Sequence, residues 1–368
     1  MEKFIKYLCG MGLLLLFAAC TGDYDDWAQP QHNDQDAPED VQMTVEVEAL
    51  PNVIEMEALA EEYEVQLYVP VKVESNVDAK YVLTLSDENG NKRDFTPTEE
   101  GYVIKDEVVK MITDFYGKKQ VERVMNGVLT AEYTANGSTV RKSSEKFLVR
   151  ILPAVPEMNY WIYGKQNARN SSDKVLPLMP VSKENQTVTT YFSGKLDTKM
   201  WSDDTFGNSA DAYGAQGGNQ TKTTWEFSVG GGYICAPSAG WYTLSFNFAT
   251  YRYTFTLLDN QEPTAYNTIS LIGDFSEWKN DITMTQVATS GDGWKSHCWY
   301  AFDVNLEKEG GLKFRVDYDW EVSWGGTLNI KDNPYGVAQR VNDNLTVPAG
   351  TYNIYFNDIT GEFLFIAQ

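Results

Sequence analysis

The chain has 368 residues, of which 13% are aromatic, and is acidic, with 30 Lys and Arg against 52 Asp and Glu and a net charge of −22. That length implies two or three domains. The charge excludes nucleic acid and anionic lipid headgroups as partners. The aromatic content suits β-structure, where such side chains fit a pleated, half-buried surface.

At the start, Lys3 and Lys6 precede the apolar run Leu8 to Phe17, which is too short to span a bilayer but matches a signal peptide. The run ends in LFAAC, a match to a bacterial lipobox. Residues 1–19 are expected to be removed, and Cys20 is expected to carry a lipid anchor of several acyl chains, which holds more durably than one. No Lys or Arg occurs from Thr21 to Val71, while Asp23, Asp25, Asp26, Asp34, Asp36, Glu39 and Asp40 crowd the start. Residues 20–40 therefore read as a solvated, flexible acidic tether. The TGDYDDW stretch after Cys20 is similar to the surface-export tag of Gram-negative lipoproteins. Cys235 and Cys298 are single and distant, so neither a disulfide framework nor a zinc site is expected, and both read as small buried hydrophobes. No cofactor is expected.

Residues 41–153 alternate in short strands with turn punctuation, which predicts an N-terminal β-sandwich. Asn89-Gly90 and Asn136-Gly137 mark hairpins of type I′. Between them KDEVVKMITDFYGK has helical spacing, with Val108, Ile112 and Phe115 on one face and Gly117 as the stop. Pro153 and Pro156 mark a stiff boundary.

Residues 157–259 and 265–368 read as two copies of one β-sandwich module. YWIYG at Tyr160 parallels ISLIG at Ile269. WEFSVGG at Trp225 parallels WEVSWGG at Trp320. A Pro-containing Gly turn and hairpin closes each copy. The fold class expected is all-β, three tandem sandwiches after a lipoprotein signal and tether.

Catalytic and nucleotide signatures (GxSxG, HExxH, P-loop, GxGxxG) are absent. His297, in an alternating stretch, reads as a strand surface residue, and Trp299 as core. Flat aromatics near loops, with basic or amide side chains beside them, suit a sugar ring, which has an apolar C–H face and a hydroxyl rim. Such candidates are Trp278, Trp320, Arg315, Trp324 and Tyr335 in the second copy, with Trp294, Lys279 and Asn333 nearby. In the first copy they are Trp161, Tyr163 and Arg169, with Lys165 and Asn167.

The ordered combination of lipobox Cys20, acidic tag, Ig-like sandwich and tandem modules opening on GDFSEW (Gly273 to Trp278) resembles the SusE/SusF family. That resemblance implies a non-catalytic lipoprotein on the outer-membrane surface. It implies a non-binding N-terminal spacer and C-terminal carbohydrate-binding modules that grip α-glucan with aromatics and a basic side chain. It also implies work beside a TonB-dependent transporter. The alternative is a structural accessory subunit of an outer-membrane import complex with no glycan site.

Overall fold

The computed structural model describes residues 41–117, 119–135, 137–155, 158–164, 173–258, 262–289 and 296–368. The signal peptide, the tether and Cys20 lie outside the described residues. The described chain is all-β with one α-helix. Its first half carries β1 (Met43–Ala49), β2 (Ile54–Glu55), β3 (Glu64–Gln66), β4 (Tyr68–Ser75), β5 (Lys80–Ser86), β6 (Lys92–Phe95), β7 (Tyr102–Ile104), α1 (Lys105–Tyr116), β8 (Arg123–Ala135), β9 (Ser138–Ser143) and β10 (Phe147–Leu152).

Two compact units result. The first holds the described residues up to Pro51, with Glu64–Ile104 and Met125–Val149; the second holds Asn52–Tyr63, Lys105–Val124 and Arg150–Gln368. In the first unit β5 lies between β6 and β8, and Leu83, Leu85 and Leu129 are fully buried. The β5–β6 turn is not the expected two-residue type I′. Asp87 N–H donates to the Asn91 carbonyl, Gly90 alone has positive φ at 86°, and Asp87 Oδ1 accepts from the Asn91 N–H. A three-residue loop with one left-handed glycine satisfies the same twist. Ala135 pairs Ser138 across the other hairpin, and Gly137 has φ 79°; Asn136 lies outside the described residues.

In the second unit α1 buries Val108, Met111 and Ile112, a stripe at helical spacing. Gly117, at φ 76°, donates its N–H to the Thr113 carbonyl and ends the helix.

The first repeat contains β11 (Tyr160–Gly164), β12 (Met179–Pro180), β13 (Asn185–Phe192), β14 (Thr198–Ser202), β15 (Tyr213–Ala215), β16 (Thr224–Val229), β17 (Gly240–Asn247) and β18 (Arg252–Leu257). Their order is β11-β14-β15-β16-β18-β17-β13-β12. β16 joins the two layers: Thr224 to Glu226 pair with β18, and Phe227 to Val229 pair with β15. Phe227, Leu244, Phe246 and Met200 fill the space between them.

The second repeat contains β19 (Ile269–Gly273), β20 (Ile282–Thr283), β21 (Thr285–Gln286), β22 (Cys298–Leu306), β23 (Gly310–Val316), β24 (Ser323–Trp324), β25 (Tyr335–Val337), β26 (Leu345–Val347), β27 (Gly350–Asn357) and β28 (Glu362–Ala367). One sheet runs β20-β19-β23-β24 with β26 also on β23; the other runs β21-β22-β27-β28-β25. They enclose a core in which Phe314 and Phe356 stack at 4.2 Å and 10°.

Pairing registers run in parallel at both ends of the two copies. Gly164 faces Thr198 as Gly273 faces Leu312, and Gly240 faces Phe192 as Gly350 faces Leu306. The opening glycines are steric requirements. A Cβ on Gly164 would collide with the Asp197 carbonyl oxygen, and one on Gly273 with that of Gly311. The closing glycines each lie under the tyrosine two residues on, Tyr242 and Tyr352. The WEFSVGG–WEVSWGG parallel is corrected. Trp225 pairs with Tyr253 of β18, and the strand occupying that place on β28 is β25, not the WEVSWGG stretch. Ser323–Trp324 instead pair with β23, so Trp225 and Trp320 are not counterparts.

The two repeats share a buried seam. Asn357 Nδ2 donates to the Thr189 carbonyl at 2.8 Å, Tyr355 OH to the Lys174 carbonyl at 2.7 Å, and Thr187 Oγ1 to Glu362 Oε1 at 2.8 Å. Trp161, Met179, Tyr355 and Leu364 form a satellite core there. His297 is a second correction. It is buried, not at the strand surface; its Nδ1 lies 2.6 Å from Asp358 Oδ1, and its ring meets Trp241 edge-on. Trp299, Cys235 and Cys298 are buried, as the sequence suggested.

Two outcomes follow from this packing. Gly273→Ala forces strand backbone apart and should cost about 1–3 kcal/mol in denaturant unfolding, whereas Gly326→Ala, whose Cβ meets only Leu345 Cδ2 at 3.4 Å, should be near neutral. At the seam, burial raises the Glu362 carboxyl above its ordinary 4.5, against the opposing hydrogen bonds from Thr187 and Thr360. A raised folded pKa contributes stability that is present below 4.5 and is lost as pH rises through the folded value. Glu362→Gln should therefore raise Tm relative to the wild type at pH 8 and show no such gain at pH 4.

Candidate functional site

The motif GDFSEW sits at the end of β19. Asp274 to Ser276 make a 3₁₀ turn, and Glu277 and Trp278 follow at φ 52° and 61°. Asp274 holds the turn in two directions: Oδ1 accepts from Trp278 Nε1 at 2.7 Å, and Oδ2 accepts from the Gly311 N–H at 2.6 Å. The aspartate thus ties the indole to the neighbouring strand.

Trp320 comes from the loop joining β23 to β24. Asp317 and Tyr318 adopt φ 47° and 60°, and Asp319 Oδ1 accepts from the Glu321 N–H. The loop tip carries Tyr318 and Trp320, each 50% exposed. Trp278 and Trp320 approach with ring centroids 6.0 Å apart and planes tilted by 42°. Tyr318 OH lies 2.9 Å from Thr283 Oγ1.

Beneath Trp320 lies Arg315, its guanidinium carbon 4.6 Å from the indole centroid. Its Nε donates to Asp281 Oδ2 at 2.8 Å and its Nη2 to Asp281 Oδ1, a bidentate pair that is buried on both sides. Burial alone would raise the Asp281 carboxyl. The hydrogen bonds from Arg315 and Ser270 and the Arg315 charge outweigh it and hold the group below the usual range. Arg315 is therefore a neutralised pedestal for Trp320.

The structure thus brings together Trp278, Trp320 and Arg315. It separates the other candidates. Trp324 faces inward from β24 and is 4% exposed, packed against Phe356 and Tyr266. Trp161 is 2% exposed in the seam, with its Nε1 donating to Asp203. Both are packing residues and not open platforms, because their strands are covered on the face they occupy. Tyr163 stacks on Trp201 at 4.0 Å and 14°, and burial, with Tyr233 adding to it, pushes its hydroxyl up to about 12. By register Trp201 stands where the second repeat has Arg315. Tyr335 is half-buried in β25, on the other sheet from the Trp320 loop. Arg169, Lys165, Asn167 and Trp294 lie outside the described residues. Among the described residues no group of three or more His, Cys, Asp and Glu is placed to hold a metal.

Sequence reasoning missed Asp281, Tyr318 and Thr283. The available signal was Arg315 itself, whose strand neighbours Phe314 and Val316 are core residues; an arginine buried there requires a carboxylate.

Asp281→Ala leaves that arginine buried without its partner and should cost about 3–5 kcal/mol. The depressed carboxyl contributes stability that is present above 3.8 and is lost as pH falls through the folded value. Calorimetry from pH 7 down to pH 3 should show that loss in the wild type and none of it in Asp281→Asn.

Residues 20–153 match the family described as outer membrane protein SusF, N-terminal domain. No curated protein matches the chain. Over residues 20–153 the chain is similar to that domain, in line with the SusE/SusF resemblance of its sequence.

Proposed function

We propose that the protein is a non-catalytic polysaccharide-binding lipoprotein, anchored in the outer membrane through Cys20 and displayed at the cell surface. It holds α-glucan near an import complex that includes a TonB-dependent transporter. The observation that carries this reading is the pairing of half-exposed Trp320 with partly buried Trp278, tilted by 42°. Two coplanar rings fit a flat ribbon of sugar, whereas two inclined rings follow a chain that curves, as an α-glucan does.

Other features support it. The two cations beside the pair are ion-paired, Arg315 with Asp281 and Lys279 with Glu277, which suits an uncharged, hydroxyl-bearing ligand better than an anion. Glu277, Trp278, Asp317 and Tyr318 are four of the eight described non-glycine residues with positive φ. Such strain persists where surrounding structure over-determines it, commonly at ligand sites. Asp281, locked by Arg315 and Ser270 with its proton affinity lowered, is poorly suited to donate a proton to a glycosidic oxygen.

Calorimetric titration with maltoheptaose tests the proposal. Trp320→Ala should weaken binding at least tenfold with Tm nearly unchanged. Trp324→Ala should do the reverse, costing about 3–5 kcal/mol of stability. Equal affinity in the wild type and Trp320→Ala would remove the platform, and no binding by the wild type would leave the accessory-subunit alternative.

A further inference from the structure

A cleft of about 630 Å³ opens along the seam, between the β12–β13 corner of the first repeat and β28 with the entry to β25 of the second. Its lining includes Asn159 and Gln186 on one side and Tyr335 and Ala367 on the other. Trp278, Trp320 and Arg315 are not part of it.

Gln186 is 5% exposed. Its Nε2 donates to the Met158 carbonyl at 3.0 Å, which fixes the amide and leaves Oε1 as the acceptor. That Oε1 is shielded from solvent and has no hydrogen-bond partner. Buried acceptors are almost always paired, so an unpaired one beside open volume marks a place for a donor. Lys183 lines the cleft and is ion-paired with Glu57 Oε1. That pairing offsets the Lys183 charge at the cleft wall. Tyr335 adds a half-buried ring to the wall.

We infer that this seam cleft is a second ligand site, built for one ring of a neutral saccharide. The ligand that satisfies these groups donates O–H hydrogen bonds, is uncharged and has an apolar ring face to set against an aromatic. The site needs both repeats, since Gln186 and Asn159 come from one and Tyr335 from the other. It stands on its own geometry and does not require the Trp320 platform.

The test is calorimetric titration of the full chain with maltotetraose, cellotetraose, xylotetraose and mannotetraose. It compares the wild type, Trp320→Ala, Ala367→Trp, which fills the cleft from an exposed position, and Trp320→Ala combined with Ala367→Trp. Tyr335→Ala serves as an independent second block, and Tm is recorded for each. One sugar should still bind Trp320→Ala at one site per chain, and Ala367→Trp or Tyr335→Ala in that background should weaken it at least tenfold. If Trp320→Ala alone abolishes all binding, the cleft is empty and the platform stands. If Ala367→Trp abolishes it while Trp320→Ala leaves it intact, the cleft stands and the platform falls. No binding by the wild type overturns both.

Discussion

Tyr355, Asn357 and Leu364 point away from the core of their own sandwich, yet all three are buried. Their hairpin, β27 with β28, has one face against the core that includes Phe314 and the other against the first repeat. A strand buried twice must satisfy polar groups on both faces. The seam does so with hydroxyl and amide donors aimed at main-chain carbonyls, and with one threonine–carboxylate bond. The relative placement of the repeats, and of any ligand either one holds, depends on this packing. Burial of Trp161 follows from it as well, since the indole packs on Tyr355 at 5.7 Å.

The overall β-architecture was legible because its signals are local. Gly273 and Gly164 are demanded by carbonyls on the adjacent strand, and Gly350 and Gly240 by the tyrosine rings that cover them. Asp274 makes its bonds within one turn and to the neighbouring strand, so its motif survived in sequence as GDFSEW. The helix over Lys105–Tyr116 followed from spacing and its terminal glycine. The WE parallel misled because it matched composition without partners. Which strand lies beside Trp225 is decided by β15 and β18, far away in the chain.

Orientation was the part the sequence could not carry for aromatics. Trp320 and Trp324 are four residues apart, and both follow polar or small neighbours. One sits at a loop tip and the other opposite Phe314 in the sheet, a difference set by where the β23–β24 hairpin turns. The uninterrupted apolar runs Ile354-Tyr355-Phe356 and Phe363-Leu364-Phe365-Ile366 were the overlooked signal. Such runs, in place of alternation, mark a strand covered on both faces. His297 belongs to the same omission, being sealed where the chain enters β22 beside Asp358 and Trp241.

The cysteine at that seam has its own chemistry. Cys298 Sγ faces the Thr189 carbonyl and the Asn357 amide, and burial, only partly offset by the bond from Asn357, pushes its thiol up. Cys235 is likewise buried. Thiolates and not thiols are oxidised or exchanged. Enclosed sulfurs of this kind resist oxidation and cross-linking. Alkylation of Cys298 becomes a clock for separation of the repeats, ticking only when they part.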